Sequence, residues 1–228
     1  MIEFLFLDLD DTILDFKMAE RVAIGKTIRQ FGVEPTEEIR QLYHQINKWH
    51  WEQLELGKLT RQEVLENRFG VLFEKLGRTV DAAACARAYG ENLAIGHWFL
   101  PGAEEAVDSL HKKYRLFLAS NGTASVQKGR MTSANLYRFF ETVFVSQEIG
   151  FNKPSREYFD ACFARIPGFD REKAIMVGDS LTSDILGGIR AGIKTCWVNP
   201  GHLEARADIP ADYEIENLSQ LESLLETL

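Results

Sequence analysis

The sequence predicts an α/β protein: a doubly wound parallel sheet with an all-helical block inserted between its first strand and the rest. Three observations carry this expectation. The chain opens on Ile2–Leu9, an almost wholly apolar run of strand length, as in a strand buried on both faces. Residues 16–96 then show helical periodicity with no convincing strand. Past Pro101-Gly102, strand-like and helix-like segments alternate, and right-handed crossovers between them build a parallel sheet covered by helices on both sides. The expected division is a core of residues 1–15 and 97–228 and a helical domain of residues 16–96.

Each element has a local reason. Ile24, Ile28 and Phe31 recur at helical spacing before a break at Gly32–Pro35. Thr36 can cap the next helix, whose stripe Ile39, Leu42, Ile46 and Trp49 keeps the 3.6-residue period, so Trp49 reads as core. Trp51 is turned about 200° from Trp49 on an ideal helix, so the two cannot face one core, and Trp51 or His50 faces the other domain. Gly57 ends this helix, and Thr60-Arg-Gln-Glu63 is a capping box opening another with Leu65, Phe69, Leu72 and Leu76 on one face. An Ala-rich helix covers about 81–95. The alternating half reads as helix 103–113, strand 115–120, helix 124–135, strand 142–146, helix 155–165, strand 174–178, helix 182–191, strand 194–198, a short strand near 213–215 and a last helix after Asn217. Gly187-Gly188 and Gly192 do not form a dinucleotide-binding glycine pattern and read as close helix–sheet packing.

Composition narrows the function. The 228 residues carry 26 Lys and Arg against 34 Asp and Glu, a net charge of −8 with no long basic run, which excludes general nucleic-acid binding. No apolar run approaches the ~20 residues of a membrane span, and Glu3 with no basic segment before it speaks against a cleaved leader. Cys85, Cys162 and Cys196 are odd in number and far apart, the pattern of reduced thiols in a cytoplasmic protein.

In doubly wound sheets, ligands bind beyond the carboxyl ends of the strands. The first strand ends in Asp8 and Asp10, the second in Ser120 and Asn121, and the fourth in Asp179 with Asp184 close behind, while Lys153 lies in the loop after the third. Carboxylates gathered so closely repel one another unless a cation sits among them. All-oxygen donors without His or Cys suit Mg²⁺.

These residues resemble a known family. Asp8-x-Asp10-x-Thr12 after an apolar strand, a strand ending Ser120-Asn121-Gly122, Lys153-Pro154, and Gly178-Asp179 with Asp184 are similar to the four ordered motifs of the haloacid dehalogenase-like (HAD) hydrolase superfamily. The helical block lies where that family places its helical cap, so the resemblance spans essentially the whole chain and implies a Rossmann-like core. It implies further that Asp8 is a nucleophile forming an aspartyl-phosphate and Asp10 a general acid and then base. Ser120 and the backbone N–H of Asn121 would hold phosphoryl oxygens, and Lys153 would neutralise charge on both phosphate and Asp8. Mg²⁺ would be held by Asp8, the Asp10 carbonyl and Asp179, with Asp184 binding its waters or fixing Lys153. Asp10 separates phosphoryl transfer from the dehalogenases, which generally lack an Asp at that place. Longer stretches, among them Asp10–Phe16, Gly57–Thr60, Ser146–Pro154, Gly178–Gly188 and Thr195–Asn199, are similar to the YjjG/YfnB-type 5′-nucleotidases. The expected partner is therefore a small phosphorylated metabolite, in first place a nucleoside 5′-monophosphate with a pyrimidine preference, and the expected assembly a monomer or weak homodimer. Phe16, His50 and Trp51 are the candidates for selecting the substrate; for Trp51, stacking on a base and filling the joint between the domains are equal readings. A phosphosugar phosphatase or mutase on the same fold, and a non-enzymatic binding module, are the alternatives.

Overall fold

A computed structural model describes residues 1–228. One sheet of six parallel strands forms its centre: β1 (Phe4–Leu7), β2 (Arg115–Ser120), β3 (Thr142–Val145), β4 (Ala174–Gly178), β5 (Lys194–Val198) and β6 (Tyr213–Ile215), in the spatial order β3-β2-β1-β4-β5-β6. The order reverses between β1 and β4, and a crevice opens there at the carboxyl ends of the strands. Alternation along the strands serves two cores. Leu5, Leu7, Leu116, Leu118, Ile175 and Val177 face one side, Phe4, Phe6, Phe117, Phe144 and Met176 the other. Each large apolar side chain so buried stabilises the fold by about 1.5–3 kcal/mol. On the aromatic side Phe6 stacks on Phe117 at 5.3 Å and meets Phe163 edge-on at 5.4 Å.

Helices α1 (Phe16–Gln30), α2 (Glu37–Glu55), α3 (Arg61–Lys75) and α4 (Ala82–Leu93) follow β1 and surround their own apolar cluster, which includes Ile24, Ile28, Tyr43, Phe69, Leu72 and Tyr89. Their starts are capped as local chemistry requires: Asp15 accepts from the Met18 N–H, Thr36 from Ile39, and Thr60 and Glu63 close a reciprocal box. The remaining helices are α5 (Ala103–Leu110), α6 (Ala124–Ser133), a single turn α7 (Ser146–Ile149), α8 (Arg156–Phe163), α9 (Leu186–Ala191) and α10 (Leu221–Leu225). A wide π-type turn, Leu181–Ile185, leads into α9. The single turn α7 and this wide turn have no periodic signature and were not expected. The glycine pair reads as expected, since a Cβ on Gly188 would stand 2.6 Å from Thr195.

The two chain crossings into and out of the helical block run side by side. The Asp15 N–H donates to the Trp98 carbonyl at 2.8 Å, and the Leu100 N–H to the Ile13 carbonyl at 2.9 Å. The block is thus attached through paired extended segments that continue directly from the β1 loop.

One expectation within the block is corrected. Trp49 is not core: it is 53% exposed, and the neighbouring His50 is buried instead, its Nδ1 2.7 Å from the Ile46 carbonyl. The buried face of α2 runs through Tyr43, Ile46, Asn47, His50 and Leu54, which places Trp49 about 120° away from its centre. A polar pair, Asn47 and His50, lies on the inner face, so the hydrophobic pattern alone mistook its direction.

Candidate active site

Asp8, Ser120 and Asp179 stand at the carboxyl edge of the sheet because β1, β2 and β4 end there. Asp8 follows β1 and Asp179 follows β4, on the two sides of the crevice. The wide turn brings Asp184 back toward them, so that one carboxylate oxygen from each of the three residues lies within 4.8 Å of the others. A Cβ on Gly178 would stand 2.2 Å from the Asp184 carboxylate, so only glycine admits it. Asp184 is held on both oxygens, by Lys153 and by the Ser180 N–H.

Lys153 is buried at the centre. Its Nζ donates to Asp8 Oδ1 at 2.6 Å, to Asp184 Oδ1 at 2.6 Å and to the Ala119 carbonyl at 2.5 Å. All three of its protons are thereby engaged, and it serves the site as a fixed charge rather than as a free phosphate donor. Asn121 braces the same segment, exchanging hydrogen bonds of 2.8 Å with the Lys153 backbone N–H and carbonyl. Ser120 Oγ accepts from the Gly122 N–H at 3.1 Å and from Gln127 Nε2 at 2.8 Å, which leaves its own hydroxyl proton to donate.

One lysine does not neutralise three carboxylates. Burial, opposed by Lys153 and reinforced by Asp184 and Asp10, pushes Asp8 up to about 7. Burial, with Asp184 and Asp8 beside it, raises Asp179 well above the carboxylate range. Burial pulls Lys153 down, but Asp184 and Asp8 together outweigh it and hold the ammonium charged. Such a surplus of buried negative charge, presented by hard oxygen donors alone, fits a divalent cation of the Mg²⁺ type.

Above the crevice lies a cavity of about 1420 Å³ between the helical block and the sheet. Phe16 and Trp51 line it; His50 does not, being turned into the helical cluster, and its expected part in substrate selection is withdrawn. Four residues that sequence patterns did not single out complete the site. Arg61, at the start of α3, donates to the carbonyls of Asn121 and Gly122 at 2.8 and 3.0 Å, and to Ser146 and Asn152, with its guanidinium 5.7 Å from the Trp51 ring centroid. Glu55, at the end of α2, accepts from Thr182 at 2.9 Å, and burial pushes its carboxyl up to about 7. Arg130 and Gln127, both on α6, bind the two carboxylate oxygens of Asp10. The only advance signal for any of them is the position of Arg61 directly after the capping threonine.

Residues 5–198 match the family model described as haloacid dehalogenase-like hydrolase. The chain belongs to this family. Among the haloacid dehalogenase-like hydrolases, it is 38% identical to YfnB of Bacillus subtilis over 97% of this chain and 94% of that one. It is 38% identical to the pyrimidine 5′-nucleotidase PynA of Streptococcus pneumoniae, over 96% and 93% of the two chains. With the pyrimidine 5′-nucleotidase YjjG of Escherichia coli it shares 30% identity over 98% and 97%. A crystal structure of B. subtilis YfnB bound to magnesium, which revealed interdomain movement in that protein, superimposes with a TM-score of 0.94 over 98% of both chains. The haloacid dehalogenase-like core and its helical insert are thus a shared architecture. No helix is long and apolar enough to cross a membrane, and all three cysteines are unpaired and buried.

Proposed function

We propose that this protein is a phosphomonoesterase that removes phosphate from nucleoside 5′-monophosphates, with pyrimidine nucleotides preferred. The observation that carries the chemistry is the meeting of Asp8, Asp179 and Asp184 around Lys153 at the sheet's switch point, under a cavity roofed by a second set of helices. The nucleotide is supported by the pyrimidine 5′-nucleotidases to which the chain is similar over nearly its whole length. On this reading residues 1–15 and 97–228 are the catalytic core and residues 16–96 a cap that selects the leaving group.

The mechanism follows from what each side chain can do. Asp8 has one oxygen on Lys153, and its other oxygen attacks phosphorus. An Asp8–phosphorus bond forms as the ester P–O bond breaks, and Asp10 gives a proton to the departing ribose oxygen. Ser120 and the Asn121 N–H hold phosphoryl oxygens, while Lys153 offsets the charge of Asp8. Water then attacks the aspartyl-phosphate, Asp10 takes its proton, and inorganic phosphate leaves with Asp8 restored. A Mg²⁺ ion held by Asp8, Asp179 and the Asp10 carbonyl, with Asp184 beside it, would supply Lewis-acid charge stabilisation and orient the phosphoryl group. The cap excludes bulk water and presents Phe16 and Trp51 to the nucleoside.

The test is phosphate release from a panel of pyrimidine and purine 5′-monophosphates and sugar phosphates, with Mg²⁺ or with EDTA. Metal-dependent release strongest on pyrimidine nucleotides, abolished in Asp8→Asn, is expected. Absence of release from every monoester, or full activity in Asp8→Asn, would overturn the reading; isomerisation without net release would reinstate the mutase alternative.

A further inference from the structure

The reaction above leaves Arg130, a fully buried charge, without a role. Arg130 on α6 has no exposed surface and does not line the cavity. Taking a guanidinium out of water costs several kcal/mol unless it is well paired, so its partners indicate its purpose. Its Nε donates to the Gly96 carbonyl at 2.9 Å, one terminal nitrogen donates to Asp10 Oδ1, and the guanidinium lies 5.7 Å from the Phe16 ring centroid. The other terminal nitrogen is buried without a partner. Phe16 stands on the outgoing crossing into the helical block and Gly96 on the returning one, so a single side chain touches both crossings and the acid Asp10. One turn earlier on the same helix, Gln127 Nε2 donates to Asp10 Oδ2 at 2.7 Å and to Ser120 Oγ at 2.8 Å.

The pair is one-sided. Arg130 is enclosed, whereas the Asp10 side chain keeps 28% of its surface and faces the cavity. A structural ion pair would serve equally well with its carboxylate turned inward. Here the carboxylate is presented to the substrate space, and both of its oxygens are set from behind by α6. The same helix is anchored to the helical block: Val126 joins that block's apolar cluster, and Gly129 lies so near the Ala94 carbonyl that a Cβ would come within 2.6 Å. Any shift of the block against the sheet therefore reaches Asp10 through α6 and the Gly96 contact.

We infer that Arg130 is a positioning residue: with Gln127 it sets the place of Asp10 relative to the leaving oxygen, and it registers that place against the crossings that carry the cap. The inference rests on the phosphomonoesterase reading. In the first phosphoryl transfer, the Asp8–phosphorus bond forms, the ester P–O bond breaks, and the proton of Asp10 passes to the leaving oxygen. A ribose alkoxide cannot leave without that proton, whereas p-nitrophenolate can. Misplacing Asp10 therefore penalises the nucleotide far more than the aryl ester.

The experiment measures kcat/KM with Mg²⁺ for a nucleoside 5′-monophosphate and for p-nitrophenyl phosphate in wild type, Arg130→Met and Arg130→Lys. This parameter reports the path through the first irreversible step, so the hydrolytic half-reaction does not blur it. Arg130→Met is expected to lose at least about 100-fold on the nucleotide and about 10-fold or less on the aryl ester, and Arg130→Lys to regain part of the difference. Equal losses on both esters, or none on either, would overturn the inference. Should Arg130→Met fail to fold, Gln127→Leu, which spares the buried ion pair, carries the same comparison: a smaller loss biased toward the nucleotide supports the inference, and an unbiased one overturns it. A wild type that hydrolyses neither ester removes the parent reading and this inference together, whereas an active wild type with equal losses removes the inference alone.

Discussion

Lys153 illustrates how much a single side chain can decide. Its ammonium is shared between Asp8 and Asp184 with no solvent to replace it, so removing it leaves two facing carboxylates uncompensated. Lys153→Met is expected to destabilise the metal-free protein by about 3–5 kcal/mol, measured as a fall in the urea midpoint, with Mg²⁺ restoring part of the loss. Glu55 makes the opposite case. Burial raises its carboxyl to about 7, above its unfolded value near 4.5, so the neutral form is the one that folding favours. The folded state therefore holds a proton that the unfolded state releases, and stability falls as pH rises from about 4.5 through 7. The full shift corresponds to about 3 kcal/mol at 1.36 kcal/mol per pH unit, and solvent screening at this partly exposed carboxyl reduces it to about 1–2 kcal/mol. In EDTA, Glu55→Gln is expected to flatten that part of the stability–pH profile between pH 5 and 8; a profile identical to wild type would show that Glu55 is not the group responsible.

Among the elements, α6 binds the most functions together. Its N-terminal half supplies Gln127, its later turn supplies Arg130, and between them Gly129 lets it lie against the end of α4. Gly129→Ala would drive a methyl into a backbone carbonyl that cannot rotate away. An overpacking cost of about 1–3 kcal/mol is expected, read as a lower melting temperature, together with a fall in kcat as α6 shifts Asp10. The strands were legible in advance because their periodicity and their ends are local properties: β2, β4 and β5 have the expected bounds. The wide turn at Leu181–Ile185 was not, since nothing in that segment alone distinguishes a widened turn from an ordinary helix start. Within it Asp184 accepts locally from the Ser180 N–H and also reaches Lys153, 31 positions away, a contact that only the fold supplies.

For the whole molecule, a cation bound at the proposed site would be linked to folding. A ligand bound only by the folded state stabilises it in proportion to its saturation, by about 2.7 kcal/mol at one hundred times its dissociation constant. Mg²⁺ is expected to raise the melting temperature, and Asp179→Asn to remove most of that rise. Because Asp8 is raised to about 7, a cation must displace its proton below that pH. The Mg²⁺-induced rise is therefore expected to be smaller at pH 5.5 than at pH 8, and an equal rise at both would place the metal elsewhere.

By itself the sequence determined the parallel sheet, the helical insert, and the strand ends at which Asp8, Ser120 and Asp179 stand. These follow from periodicity and from residues adjacent in the chain. Only tertiary structure decided which face of α2 is inside, because that depends on the helices packed against it: His50 took the place expected of Trp49. Only tertiary structure joined Arg130 to Asp10 across 120 positions, and Glu55 to Thr182 across 127. A polar side chain within a helix leaves no periodic trace of its partner, since the partner is chosen by where the fold brings two distant segments together.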